Sequence, residues 1–276
     1  MIRLGRIELE RPAVMGVLNV TPDSFSDGGR FVSLDDALRQ AEQMVADGAA
    51  ILDVGGESTR PGAAAVDDQQ ELDRVLPVIE ALVKNLDAAV SVDTSKPVVM
   101  REAVHSGAAM INDVCALQAE GALDAAVELQ QAVCLMHMQG QPRTMQENPR
   151  YDDVVADVTA FLADRVAQCV AAGLGEGLIM IDPGFGFGKT VSHNVELLAN
   201  LRQLAQMGPP VLIGVSRKST LGALTGRDVD DRLAASLAAA VMAVDRGAAV
   251  VRAHDVAATV DALKIARAIG EADKGL

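Results

Sequence analysis

Eight short apolar runs are spread along the whole chain, and each stops on a glycine, polar or charged residue. The runs are Ala13–Leu18, Ala50–Val54, Ala88–Val92, Ala108–Ile111, Ala132–Met136, Leu178–Ile181, Val211–Val215 and Ala248–Val251. The residues that end them are Asn19, Gly55 to Glu57, Asp93, Asn112, His137, Asp182, Ser216 and Arg252. Unbroken runs of this length describe strands buried on both faces, as in a parallel sheet covered by helices.

Segments of helical period separate them, among them Asp35–Asp47, Gln69–Leu82, Pro97–Ser106, Asp152–Ala172, Asn194–Gln206 and Asp230–Asp245. Strict alternation of this kind predicts an α/β fold, a single (β/α)8 TIM barrel with a short N-terminal extension. Its site lies on the loops that follow the strands. An open doubly wound sheet would instead gather its site at one switch point. The length of 276 residues suits one such barrel, and no linker or low-complexity tract divides residues 1–276.

A formal charge of −14 argues against a nucleic-acid partner, whose phosphates need a cationic surface. The charged N-terminal segment does not read as a signal peptide, and Leu233–Val244, closed by Asp245 and Arg246, is too short to span a bilayer. The three cysteines, Cys115, Cys134 and Cys169, have neither metal-ligand spacing nor a disulfide count. A cytoplasmic enzyme follows, with reduced thiols packed in the fold.

Two loops are too rich in special residues to be plain connectors. Residues 19–31 hold Pro22, Gly28 and Gly29 together with Phe25 and Phe31; residues 55–62 combine glycines and Pro61 with Thr59 and Arg60. Loops of this length are typically lids or binding loops. At the mouth, Asp93, Asn112 and Asp182 suit a flat heterocycle with an amino-amidine edge, because a carboxylate accepts two parallel N–H bonds. The segment Asp93 to Pro97 also reads as a simple helix entry. Arg60, Arg217, Lys218, Arg252 and His254 bring positive charge for a phosphate or diphosphate, and a helix opening after Ser219 can hold a carboxylate.

Other features point less far. Gly184 to Thr190 looks like a nucleotide phosphate loop but has three residues, not four, between Gly184 and Gly188. The four histidines form no ligand set: His105 and His193 read as surface residues, and His137 as equally structural or functional. A Schiff-base role for Lys218 would need a dry pocket that the sequence does not reveal. The apolar Leu233–Val244 segment is a buried helix or a dimer face.

Taken together, Met15 to Gly29, Gly55 to Gly62, Ser91 to Thr94, Asp182 to Lys189, Gly214 to Ser219 and Arg252 to His254 resemble the dihydropteroate synthase family of pterin-binding TIM barrels. The match runs in order over nearly the whole chain; residues 63–70 and the helices are less distinctive, and Cys115 stands where a small residue without sulfur is expected. The resemblance implies condensation of 7,8-dihydropterin-6-ylmethyl diphosphate with 4-aminobenzoate, a step of folate synthesis and a sulfonamide target. It further implies that Asp93, Asn112, Met136, Asp182, Phe187, Lys218 and Arg252 hold the pterin. Asn19, Thr59, Arg60, Arg252 and His254 would bind the diphosphate, with Asn19 toward Mg2+. Phe25, Thr59, Arg60, Pro61, Lys218 and Ser219 would surround the aminobenzoate. Asp93, Arg60, Lys218, Arg252 and His254 are the expected catalytic residues of a homodimer. Three rivals share the barrel, the third a sugar-phosphate enzyme that borohydride trapping at Lys218 would reveal. A corrinoid methyltransferase would have no use for the residue 21–29 lid and the Arg60 loop, and a non-catalytic pterin-binding homologue would be expected to have lost Arg60 or Asn19.

Overall fold

The computed structural model describes the chain except for residues 6, 22–33, 59–65, 142–143 and 274–276. Ten strands and ten α-helices are present among the described residues. An N-terminal hairpin, β1 (Ile2–Leu4) and β2 (Ile7–Leu9), precedes eight strands: β3 (Ala13–Asn19), β4 (Ile51–Gly55), β5 (Ala89–Asp93), β6 (Met110–Asp113), β7 (Ala132–Met136), β8 (Ile179–Asp182), β9 (Val211–Gly214) and β10 (Ala248–Ala253). These eight pair in parallel, each with the next, and β10 returns to β3 to close the barrel. The expected fold is therefore present.

The helices are α1 (Leu34–Ala46), α2 (Asp68–Asn85), α3 (Pro97–His105), α4 (Ala122–Leu129), α5 (Val154–Ala171), α6 (Val191–Ala199), α7 (Leu201–Ala205), α8 (Ser219–Thr225), α9 (Leu233–Asp245) and α10 (Val256–Asp273). Several begin where the sequence provides a cap. Asp67 accepts from Gln70 N ahead of α2, and Asp153 accepts from Val155 N and Ala156 N ahead of α5. The helix read over Asn194–Gln206 is two helices, because Thr190 and His193 form a capping box that starts α6 earlier and Asn200 interrupts it. The Asn200 amide donates to Glu196 O at 2.9 Å, giving the backbone a side-chain alternative to the helix.

Side chains alternate between the two faces of each strand, and the register makes that alternation coherent around the barrel. Met15 pairs with Ile51 and Ile51 with Ala89; Asp53 pairs with Ser91, Asp93 with Asn112, and Gly214 with Arg252. One phase faces the helices and is apolar, including Val14, Leu52, Val54, Val92, Ile111, Leu135, Ile181, Ile213 and Val251. The other phase fills the barrel. Its lower layer is apolar, with Met15, Ile51, Met110, Ala132, Met180, Leu212 and Val250, and the hairpin residues Ile2, Ile7 and Leu9 pack beneath it. Burying each of those three contributes about 1.5–3 kcal/mol and seals the end of the barrel away from the site. Two residues further along β4, β5, β6, β8 and β10 the same phase turns polar, at Asp53, Ser91, Asn112, Asp182 and Arg252.

Candidate active site

That polar upper layer forms the candidate site. Asp93, Asn112, Met136, Asp182, Gly214 and Arg252 are the last inward-facing residues of their strands. With Val17, Val114, Phe185, Phe187, Ser216, Lys218 and His254 they line one open cleft at the C-terminal mouth. Strand length fixes the first six of these side chains, and the loops that follow the strands place Val114, Phe185, Phe187, Ser216, Lys218 and His254.

The floor of the cleft is a chain of charges. Arg252 donates through Nε to Asp53 Oδ2 at 2.7 Å and through Nη2 to Asp93 Oδ2 at 2.9 Å. Asn112 Nδ2 donates to the same Asp53 Oδ2 at 3.0 Å. Burial pushes the Asp93 carboxyl up to about 7; Arg252 opposes the rise and Asp53 adds to it. Burial likewise raises Asp182 to about 6, against a hydrogen bond from Gly184 N and the charge of Lys218. Burial alone would lower Arg252, but Asp53 and Asp93 outweigh it and hold the guanidinium charged. Perturbed carboxylates grouped in one cleft are the electrostatic signature of a functional site.

The opposite wall is built by the loop after β8. Gly184 N donates to Asp182 Oδ1 at 2.7 Å and turns the chain so that Phe185 and Phe187 enter the cleft. Only glycine fits at 184: φ is +67° and a Cβ would lie 1.8 Å from His137 O. Lys218 stands over Phe187, its Nζ 3.9 Å from the ring centroid, and burial lowers its pKa to about 8. Lys189 does not face the cleft. It is buried and donates to Gly184 O, Phe187 O and His137 Nδ1 at 3.0, 2.9 and 2.9 Å, tying the loop to β7. The phosphate-loop resemblance of this segment thus ends in a lysine turned onto its own backbone, and His137 serves that structural contact, held neutral by burial with a pKa near 3.

A model of the family described as "Pterin binding enzyme" matches residues 15–254. Dihydropteroate synthase of Haemophilus influenzae is 54% identical over 96% of this chain and 97% of its own. The chain belongs to the dihydropteroate synthase family. Among solved structures, the Yersinia pestis dihydropteroate synthase in a sulfonamide drug complex superposes with a TM-score of 0.94 at 50% identity, covering 98% of this chain and 99% of that one. The Xanthomonas albilineans dihydropteroate synthase with 4-aminobenzoic acid gives 0.90 at 52% identity, covering 95% and 94%.

Of the residues that the dihydropteroate synthase pattern singles out, the cleft brings together Asp93, Asn112, Met136, Asp182, Phe187, Lys218, Arg252 and His254. Asn19 ends β3 at the same rim, paired in register with Gly55; a Cβ on Gly55 would meet both Asn19 Oδ1 and Asp93 Oδ2. Ser219 starts α8 and faces a neighbouring depression with Gln146, Thr190 and Thr220. Phe25, Thr59, Arg60 and Pro61 lie outside the described residues.

Two expectations about charge change. Arg217 is not part of the cationic wall: its Nε donates to Asp255 Oδ2 at 3.0 Å and its guanidinium forms an ion pair there. His254 reaches the cleft, but burial and the charge of Arg252 lower it to about 4, so it enters as a neutral imidazole whose Nδ1 lies 3.1 Å from Ser216 Oγ.

The sequence reading passed over Asp53, Ser91 and Lys96. Asp53 and Ser91 sit inside runs taken as apolar; stepping by two from Asp93 and Arg252 through the register reaches both. Lys96 Nζ bonds Glu57 Oε2 at 2.6 Å, Val66 O at 2.7 Å and Glu71, and so ties together both stems of the residue 57–66 loop.

Proposed function

We propose that this chain condenses 7,8-dihydropterin-6-ylmethyl diphosphate with 4-aminobenzoate, releasing diphosphate, and that it does so by departure of the diphosphate before attack of the amine. The observation that carries this reading is the polar layer itself: Asp93, Asn112, Asp182, Lys218 and Arg252 line one cleft. Carboxylate and amide oxygens suit the donor-rich edge of a pterin, and Met136 and Phe187 offer apolar faces to its flat ring. The drug complex and 4-aminobenzoic acid complex of the relatives support the second substrate.

In this scheme Asp182 and Asn112 orient the ring. Arg252, neutral His254 and Arg60 of the residue 55–62 loop hold the diphosphate and stabilise the charge that grows on it as the C–O bond breaks. Asp93, the carboxylate with the most raised pKa on this wall, stabilises the ring-conjugated methylene cation left behind. The weakly basic aryl amine then attacks that carbon and gives up its proton to the released diphosphate, so no covalent enzyme nucleophile is required. Thr59, Pro61, Phe25, Lys218 and Ser219 would enclose the aminobenzoate, and closure of the two loops would keep water from the cation.

Among the described residues no group of three or more His, Cys, Asp or Glu side chains is placed to hold a metal ion. Asn19 supplies a single neutral oxygen, which fits Mg2+ held mainly by diphosphate and water oxygens. Bound there, Mg2+ would neutralise charge on the leaving diphosphate.

A homodimer is supported by the apolar side chains that neighbouring helices leave exposed, Leu233 and Met242 on α9 and Ile265 and Ile269 on α10. No described helix is long and apolar enough to cross a membrane. The three cysteines are free thiols, which suits the reducing cytoplasm. Incubating the protein with the pterin diphosphate, Mg2+ and 4-aminobenzoate, while following diphosphate and dihydropteroate together, tests the proposal. Equimolar formation of both is expected; diphosphate release alone would mean hydrolysis and would overturn it.

A further inference from the structure

Asp53 is the most deeply buried charged group of the barrel interior, with 0% of its surface exposed, and it lies beneath the cleft without lining it. Its Oδ2 accepts from two cleft residues at once, Arg252 Nε and Asn112 Nδ2. A carboxylate only accepts, so the atom that Asn112 turns toward it is necessarily its NH2 group. The amide has no freedom left: with Nδ2 directed down to Asp53, Oδ1 is the atom presented to the cleft. Among the described residues nothing donates to Asn112 Oδ1, and Asn112 lines the cleft. Without Asp53 the same amide would be free to turn over and offer a donor instead.

We propose that Asp53 is a positioning residue that fixes the Asn112 amide oxygen toward the cleft, so that the site selects rings presenting an N–H there over rings presenting a bare nitrogen. The inference rests on the pterin reading above and sharpens it. A 7,8-dihydropterin carries an N–H at ring position 8 where the fully oxidised pterin has an unprotonated nitrogen. The wall made by Asp93, Asp182 and Asn112 Oδ1 is then all acceptor. A bare ring nitrogen would face an acceptor and leave both unpaired, the arrangement that hydrogen-bonding sites reject most strongly. Asp53 also explains why a charge is retained in an otherwise apolar strand: an apolar residue there would leave Arg252 with one partner and the amide with none.

The test is equilibrium binding of 6-hydroxymethyl-7,8-dihydropterin and of oxidised 6-hydroxymethylpterin to the full chain, followed by ligand fluorescence. The readout is the ratio of the two affinities, which a purely structural defect would leave unchanged. The wild type is expected to favour the reduced ring by about ten-fold, the worth of one hydrogen bond and its avoided mismatch. Asp53→Ala should bring the ratio close to one, whereas Asp53→Asn, which keeps an acceptor oxygen in the place of Oδ2, should restore most of it. If Asp53→Ala does not fold, Asn112→Ala reads the same property from the other partner and should also abolish the preference. Equal weakening of both rings in the alanine variants, or a wild type without preference, overturns the inference while leaving the pterin reading intact. Failure of the wild type to bind either ring overturns the pterin reading, and this inference with it.

Discussion

Asp93→Asn separates stability from activity at one residue. Asp93 is 9% exposed, and burial lifts its carboxyl from an ordinary 3.8 to about 7 despite the neighbouring guanidinium of Arg252. Between about pH 4 and pH 7 the native state therefore binds a proton that the unfolded chain has released, and native stability falls as pH rises through that window. At about 1.4 kcal/mol per pH unit, keeping the group ionised at pH 8 costs roughly 4 kcal/mol. Asparagine carries no charge, retains an oxygen for Arg252, and leaves the Arg252 bond to Asp53 untouched. The variant is expected to be about 2–4 kcal/mol more stable than the wild type at pH 8, with the difference shrinking toward zero near pH 4, while turnover falls by about 10²-fold. Urea unfolding at a series of pH values, with m checked for constancy, gives the first quantity, and steady-state kinetics the second. A variant less stable at pH 8, by an amount independent of pH, would show that Asp93 is a structural ion-pair partner and that the reasoning is wrong.

Arg252→Ala leaves Asp53 and Asp93 buried without their shared cation and should cost about 3–5 kcal/mol in urea unfolding. The double variant with Asp53→Ala should recover part of that loss, and strict additivity would argue against the charge chain. Gly184→Ala places a methyl group 1.8 Å from His137 O at a φ of +67°, and should lower stability by about 3 kcal/mol or more while abolishing ring binding; an unchanged melting temperature would refute the fit described for that loop. Ring binding should be bell-shaped in pH. It should fall below about 6 as Asp182 takes up a proton and above about 8 as Lys218 loses one. A flat titration would remove both charges from recognition.

Much of this was legible in the sequence, for a definite reason. Buried parallel strands are written as apolar runs, and a barrel strand has to end where the chain meets solvent, so the residue after each run marks the rim. Asn19, Asp93, Asn112, Asp182 and Arg252 were found that way. The rule is blind within a run. Asp53 sits inside Ile51–Gly55 and Ser91 inside Ala89–Asp93, and only the phase of the alternation shows that they lie beneath the rim residues. Glycine signals behaved similarly: the Gly184 to Gly188 segment announced a tight loop, but its lysine could be aimed outward at a phosphate or inward at carbonyls.

The chain's own pattern thus determined eight parallel strands, the rim at which the candidate site residues gather and the family of motifs carried there, because burial and periodicity are properties of successive residues. Tertiary structure alone decided the pairings. Arg252 meets Asp53 and Asp93 from 199 and 159 residues away, Arg217 turns to Asp255 instead of the cleft, and His254 is neutral rather than cationic. Those outcomes depend on closure of the barrel, which sets strand register, desolvates each charge and chooses its partner. None of these quantities exists until distant segments have come together.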